Sequence, residues 1–220
     1  SIQLQLSANS TPISLVRNQK LDVADIQSTL LNNQVLVLKV KVFQQDTASE
    51  IKRYIDEYPP QRIKAVLIDL RNNPGGLLSS AVETADLFLS QGLIVSTKSR
   101  SEGDQEFQAL PGNEFENIKL GVLINQRSAS ASEVFTAAMK DHHRALIVGE
   151  KSYGKGVVQK LFPLENGAAL QMTVSHYLTP NGKSIDGHGI EPNIIYPWPL
   201  DMKEDIYISH IAEQLLKAKN

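Results

Sequence analysis

Apolar residues recur along this chain with two periods, and the switches between them predict an α/β protein. Ile2, Leu4 and Leu6 alternate with polar residues, as do Ile13 and Leu15, so Ser7–Pro12 is expected to join a small hairpin. Residues 34–43, rich in Val and Leu, read as a buried strand. Asp46–Tyr58 reads as a helix. Its residues Ile51, Tyr54, Ile55 and Tyr58 share a face, Thr47 and Glu50 have capping-box spacing, and Pro59-Pro60 stops it. Ala65–Leu70 is an apolar strand that runs into Arg71-Asn72-Asn73-Pro74-Gly75-Gly76, after which Leu78, Ala81, Val82, Ala85 and Leu89 carry a helical stripe. Strands are expected at Leu93–Thr97 and Leu120–Ile124, with a polar loop around Ser99–Glu106 between them. A helix follows over Ser130–Asp141, then strands at Ala145–Val148, Val157–Phe162 and Ala169–Leu178. Asn166-Gly167 turns the second of these into the third, and Pro180-Asn181-Gly182 is a further turn. Ile208, Ile211, Ala212 and Leu215 mark a closing helix. Strands and helices alternate with hairpins inserted, which is the order of an α/β chain of ββα-like units.

The chain has 220 residues, enough for one large domain with a core, or one domain and a small appendage. Hydrophobic residues make up 41%, which excludes a disordered chain. The net charge of -2 lacks the basic excess of a nucleic-acid partner, so none is expected. No run approaches the roughly 18 apolar residues of a membrane helix. Cysteine is absent, which removes disulfides, cysteine nucleophiles and thiolate metal sites. The chain opens at Ser1 without a Met and is read as a piece of a longer protein.

Arg127-Ser128-Ala129-Ser130-Ala131-Ser132-Glu133 lies between an apolar strand and a helix. A serine at a helix start has orphan amides and the positive end of the dipole beside it, both suited to an oxyanion. Ala129 and Ala131 are small enough to admit a substrate backbone. The same Ser130-to-Glu133 spacing is also a capping box, and taken alone the segment reads first as a cap. A nucleophilic serine needs a base. His142 lies on the same helix, roughly 18 Å from Ser130 at about 1.5 Å per residue. Asp141 is too far for the same reason, and is expected to serve the helix C-terminus and Arg144. His176 and His188 have no motif around them, so a Ser-His-Asp triad is poorly supported.

Lys155 is the other candidate base, within Gly149-Glu150-Lys151-Ser152-Tyr153-Gly154-Lys155-Gly156-Val157-Val158-Gln159. A lysine acts as a base only when neutral, which burial favours. Gly154 and Gly156 would let the backbone bring Lys155 inward, and Gln159 falls on its face at period two, where its amide could orient the amine. The competing reading is a solvated lysine in a glycine turn. The stretch nearly matches a phosphate-binding loop, but Gly156 stands where Ser or Thr would hold magnesium and a strand follows where a helix must start. Asn73-Pro74-Gly75-Gly76 at a strand end reads either as an ordinary turn or as a source of exposed amides for an oxyanion hole. Together the pieces supply nucleophile, base, orienter and oxyanion donors, with no metal or cofactor required.

The run from Asp69-Leu70-Arg71-Asn72-Asn73-Pro74-Gly75-Gly76 through Ser128–Glu133 to Gly149-Glu150 and Gly154–Gln159 resembles the C-terminal processing peptidases, tail-specific serine proteases of the Ser-Lys type. Tyr177-Leu178-Thr179-Pro180-Asn181-Gly182 and Gly187-His188-Gly189-Ile190-Glu191-Pro192 extend the likeness, which covers roughly residues 20–197. The resemblance implies a ClpP/crotonase-like core of ββα units with added β-hairpins. It implies Ser130 as nucleophile, Lys155 as base, Gln159 as the supporting third member, and an oxyanion hole from the amides of Ala131 and Gly76. It implies polypeptide substrates with unstructured C-terminal tails and export to a bacterial periplasm or a thylakoid lumen. Two departures stand out. Gln126-Arg127 occupies a place where many members have small residues, so Arg127 is expected to point outward. Members also carry a PDZ domain, of which only Ser1–Arg17 resembles the final hairpin. Residues 1–19 are therefore expected to be a PDZ remnant or linker, and 20–220 the protease core. Alternatives on the same fold are a catalytically silent ligand- or peptide-binding module and a Ser-Lys amidase for small molecules.

Overall fold

The structure, a computed structural model, describes residues 2–4, 13–15, 25–59, 61–99, 103–112, 115, 118–165 and 167–218. Near the N-terminus β1 (Ile2–Leu4) pairs antiparallel with β2 (Ile13–Leu15), as the alternation there predicts; Leu6 and the joining segment lie outside the described residues. Next come β3 (Ile26–Leu31), β4 (Val35–Val40), α1 (Thr47–Asp56) and β5 (Ala65–Asp69). They are followed by α2 (Leu78–Asp86), β6 (Leu93–Ser99), β7 (Gln105–Gln108) and β8 (Lys119–Ile124). Then come α3 (Ala131–Asp141), β9 (Ala145–Gly149), β10 (Val157–Pro163), β11 (Ala169–Leu178), β12 (Ile194–Ile195) and α4 (Glu204–Lys217). The mixed α/β class is that of the sequence reading.

The main sheet has the order β12-β9-β8-β5-β4-β3, parallel throughout except for the β3–β4 pair. Its central strands are apolar on both faces because both are covered. Leu36, Leu38 and Val40 of β4, Val66 and Ile68 of β5, and Leu120 and Val122 of β8 pack in one core with α1, α2 and α3. Their neighbours at period two, Val35, Val37, Ala65 and Leu67, pack in a second core with Tyr207, Ile208, Ile211 and Leu215 of α4. Gly121 lets α4 come close: a Cβ there would lie 2.9 Å from Leu215 Cδ2. A smaller sheet, β10-β11-β6-β7, is antiparallel.

The structure departs from the sequence reading at several places, the unanticipated β12 among them. β3 went unread because only its first residue, Ile26, is buried, so no apolar alternation marks it. The strand expected over 34–43 ends at Val40, and Phe43 makes a separate bridge to Gly76. Thr47 and Glu50 form no capping box: Thr47 Oγ1 accepts from the Gln44 amide (2.8 Å), and Glu50 takes the Arg53 guanidinium (2.6 and 3.1 Å). The polar segment up to Glu106 contains the start of β7, an exposed edge strand.

Candidate active site

Three alternate serines precede or open α3, and their surroundings separate them. Ser128 is fully buried and its hydroxyl donates to the Leu70 carbonyl (2.8 Å). Ser132 is fully buried and donates to the Asn73 carbonyl (3.1 Å). Both fasten the start of α3 to the turn that follows β5. Ser130, between them, is partly exposed at the N-cap position with φ 56° and ψ −117°. A non-glycine residue at positive φ is uncommon, and such strain gathers at reactive sites where the surroundings enforce it.

The enforcement comes largely from Glu133, one turn into α3 and 0% exposed. Its Oε2 accepts the Ser130 amide (2.9 Å) and also the Lys155 amide (2.8 Å). Its Oε1 accepts the Gly154 amide and the Ser152 hydroxyl, both at 2.6 Å. Ser152 in turn accepts the Ile190 amide (2.6 Å), and the Tyr153 amide donates to the Ser128 carbonyl (3.0 Å). One carboxylate oxygen thus joins the backbones of Ser130 and Lys155, residues far apart in sequence, within the span of two hydrogen bonds. The sequence reading gave Glu133 only its capping role; the acceptor it offers to 152–155 has no local signature.

The strand-end turn forms the opposite wall. Asn73, fully buried, donates from Nδ2 to the Val40 carbonyl (2.9 Å) and accepts the Gly75 amide (2.8 Å). Its carbonyl takes the Ala129 amide (3.0 Å). Gly75, at φ 109°, lies so close to the serine that a Cβ on it would sit 2.9 Å from Ser130 Cβ and 3.0 Å from the Ala131 nitrogen. Gly76, at φ 137°, is backed against Phe43, whose carbonyl oxygen would lie 2.1 Å from an added Cβ. Among the described residues neither the Gly76 nor the Ala131 amide has a hydrogen-bond partner. The structure therefore brings Ser130, Lys155, Ala131 and the Gly75-Gly76 pair to one place.

Other expectations are not met. Lys155 is exposed, and its amine has no partner among the described residues. Gly154 and Gly156 are the buried members of the segment, because a Cβ would meet the Gly189 nitrogen (3.0 Å) in one case and the Asp186 nitrogen (2.2 Å) in the other. The glycines admit a neighbouring loop rather than carry the lysine inward. Gln159 does not reach Lys155: the register shifts between Val158 and Gln159, and Gln159 Oε1 accepts from Gln171 Nε2 (2.8 Å). Asp141 accepts the Asn181 amide (3.0 Å) and leaves Arg144 to the carbonyls of Phe88, Phe115 and Ile118. His142 is engaged with the Leu93 carbonyl (2.7 Å) and His188 with that of Asp186 (2.8 Å). Arg127 is exposed, as expected.

Known proteins resemble this chain over most of its length. A carboxy-terminal-processing protease of Bartonella bacilliformis is 42% identical over 173 residues, covering 78% of this chain and 40% of that protein. A CtpA-like serine protease of Staphylococcus epidermidis is 40% identical over 167 residues, covering 74% of this chain and 34% of that protein. The chain thus spans well under half the length of these relatives. Among solved structures, the photosystem II D1 C-terminal processing protease superposes with a TM-score of 0.71 at 28% identity, covering 81% of this chain and 50% of that one. The pattern of peptidase family S41 matches residues 34–196, and the chain belongs to that family.

Proposed function

We propose that this chain is the catalytic core of a serine endopeptidase that cleaves polypeptides near their C-terminal tails. The observation that carries the reading is the Glu133 carboxylate holding the amides of Ser130 and Lys155 on one oxygen, beside the Gly76 and Ala131 amides, which have no partner among the described residues. The Ser130 hydroxyl attacks the scissile carbonyl carbon and passes its proton to the Lys155 amine. The amides of Gly76 and Ala131 hold the oxyanion that forms. The Lys155 ammonium then returns the proton to the departing amine, leaving an ester on Ser130. Lys155 next takes a proton from water, which attacks the ester carbonyl, and hands that proton to the Ser130 oxygen as the ester bond breaks, which frees the new C-terminal carboxyl group and restores the serine hydroxyl and the neutral amine.

The exposure of Lys155 assigns part of the work to the substrate. An amine is a base only when neutral, and covering it with a bound polypeptide removes the water that favours its charged form. Gln159 is assigned to steady the amine in that covered state, after parting from Gln171. The tail preference is read across from relatives named for carboxy-terminal processing, and an exported location is part of the same proposal.

The test uses the pattern of serines and lysines. Ser130→Ala is expected to abolish peptide hydrolysis while the fold survives, since a lost cap costs about 1 kcal/mol. Ser128→Ala and Ser132→Ala should each lower stability by about 0.5–1.5 kcal/mol, the net worth of a hydrogen bond, because the Leu70 and Asn73 carbonyls keep the amides of Asn73 and Ala129, and should keep the chemistry. Lys155→Arg, which cannot deprotonate, should be inactive and folded, and Lys151→Arg nearly silent. Activity that survives Ser130→Ala would contradict the assignment.

A further inference from the structure

The two amides read as the oxyanion hole come from two turns: Gly76 from the turn after β5, and Ala131 from the start of α3 after β8. β5 and β8 are parallel neighbours in the main sheet, so both turns leave the same edge side by side. On the buried side they are fastened through Leu70 and Asn73, whose carbonyls take the Ser128 hydroxyl (2.8 Å) and the Ala129 amide (3.0 Å). Bonds on one side alone leave a hinge. One turn can still tilt against the other and change the spacing of the two amides.

A second fastening lies on the solvent side. Asn125, the residue that follows β8, sets its carboxamide against Asn72. Its Oδ1 accepts the amides of Asn72 (3.0 Å) and Arg127 (3.1 Å), and its Nδ2 donates to Asn72 Oδ1 (3.1 Å). The backbone of Asn125 is tied to Ser128 as well: its amide donates to Ser128 Oγ (2.9 Å) and its carbonyl takes the Ser128 amide (2.8 Å). Asn72 stands at φ 61°, a left-handed conformation that asparagine adopts more readily than most residues. From Asn72 the restraint passes to Asn73, whose side chain accepts the Gly75 amide next to Gly76. From Asn125 it passes through Ser128 to Ser130 and Ala131. Asn72 is exposed and Asn125 partly exposed, so water can replace the bonds of this clasp and its worth to stability is small.

We propose that Asn125, acting through Asn72, is a positioning residue for the reaction: the clasp holds the Gly76 and Ala131 amides at the spacing a tetrahedral oxyanion requires. The inference rests on the reading of Ser130 as the nucleophile and of these two amides as the oxyanion hole. Donors aimed at an oxyanion work by being in place beforehand, so a small displacement costs rate and leaves substrate binding alone.

The test uses a peptide that the protein cleaves and a peptide boronate, whose adduct on Ser130 places an oxygen in the hole. Asn125→Ala should lower kcat about 10- to 100-fold, since displacements near 1 Å cost up to this much, with KM within about twofold of native. The inhibition constant of the boronate should rise by the same factor, as for any mimic of the transition state. The pH profile of kcat should keep its position, because the surroundings of Lys155 are untouched. The urea midpoint should fall by no more than about 0.5 M. Asn72→Asp, whose carboxylate still accepts from Asn125 Nδ2, should keep kcat within about threefold of native. Asn72→Gly, which fits φ 61° without strain but lacks the acceptor, should lose more. Undiminished kcat in Asn125→Ala overturns this inference and leaves the protease reading standing. So does a loss of kcat that leaves boronate inhibition unchanged or that tracks a large loss of stability, which would make the clasp a structural tie only. A native protein that cleaves no peptide overturns both readings together.

Discussion

Glu133 carries four donors on a carboxylate that no solvent reaches. A buried carboxylate is tolerated when its lone pairs are taken, and here amides, a hydroxyl and the N-terminal end of α3 take them. Its position explains how a strained serine and an exposed lysine keep a fixed relation. In Glu133→Gln one amide oxygen still accepts, but an NH2 group then faces two donors. The expected result is a loss of about 2–3 kcal/mol in urea unfolding, the cost of unsatisfied buried donors. Peptide hydrolysis should lose about 100-fold in kcat with KM nearly unchanged, since displacements near 1 Å cost this much and Glu133 touches no substrate. Native stability and activity in the variant would show the four bonds to be dispensable. The serine and the lysine were legible in the sequence because each sits in a local pattern. The part of Glu133 that joins them was not, because its Ser-x-x-Glu spacing is fully accounted for by capping.

Among the elements, the turn after β5 and the helix α4 are joined by Arg71. This buried guanidinium forms a fork with Asp69 (2.6 and 2.9 Å), reaches Glu204 at the start of α4 (2.7 Å), and lies over Trp198 and Tyr207 at 4.9 and 5.3 Å from their ring centres. Glu204 also accepts Lys39 from β4 (2.9 Å). The Lys39 ammonium, aided by Arg71, holds the Glu204 carboxyl below its ordinary value, against the opposing effect of burial. A carboxyl lowered by folding adds stability that is present above its unfolded value of about 4.3 and is lost as pH falls through the folded value. Glu204→Gln should therefore be less stable than the native protein at pH 7 by about 1 kcal/mol or less, given its partial exposure. The two should converge near pH 3 in denaturant titrations; a constant gap across that range would contradict the linkage. That β4 and β5 are apolar, buried strands was readable from the sequence, and so was α4 with its apolar stripe; their alternation between two cores was seen only in the structure. The docking of α4 onto Arg71 was not, because a single Arg and a single Glu at long separation leave no periodic trace.

At the scale of the molecule, a three-layer α/β body with α1–α3 on one face and α4 on the other holds two strand-end turns against the start of α3. That placement gives Ser130 its amides on one side and Lys155 on the other, while the smaller sheet extends from the lysine into solvent. The α/β class and most of the elements followed from the change of period along the chain, but β3, β7 and β12 did not. The exposure of Lys155 did not, because glycines that flank a residue look alike whether they bury it or let another loop approach, and only the Asp186–Gly189 loop distinguishes the two. The central claim is that the Ser130 hydroxyl, activated by Lys155, forms the covalent intermediate. Its most direct measurement is intact-mass and peptide-mass analysis after exposure to a fluorophosphonate. The account predicts one adduct, located on Ser130, that forms readily in the native protein and is lost in Lys155→Arg. An adduct on another residue, or equal labelling of Ser130 with and without the Lys155 amine, would contradict it.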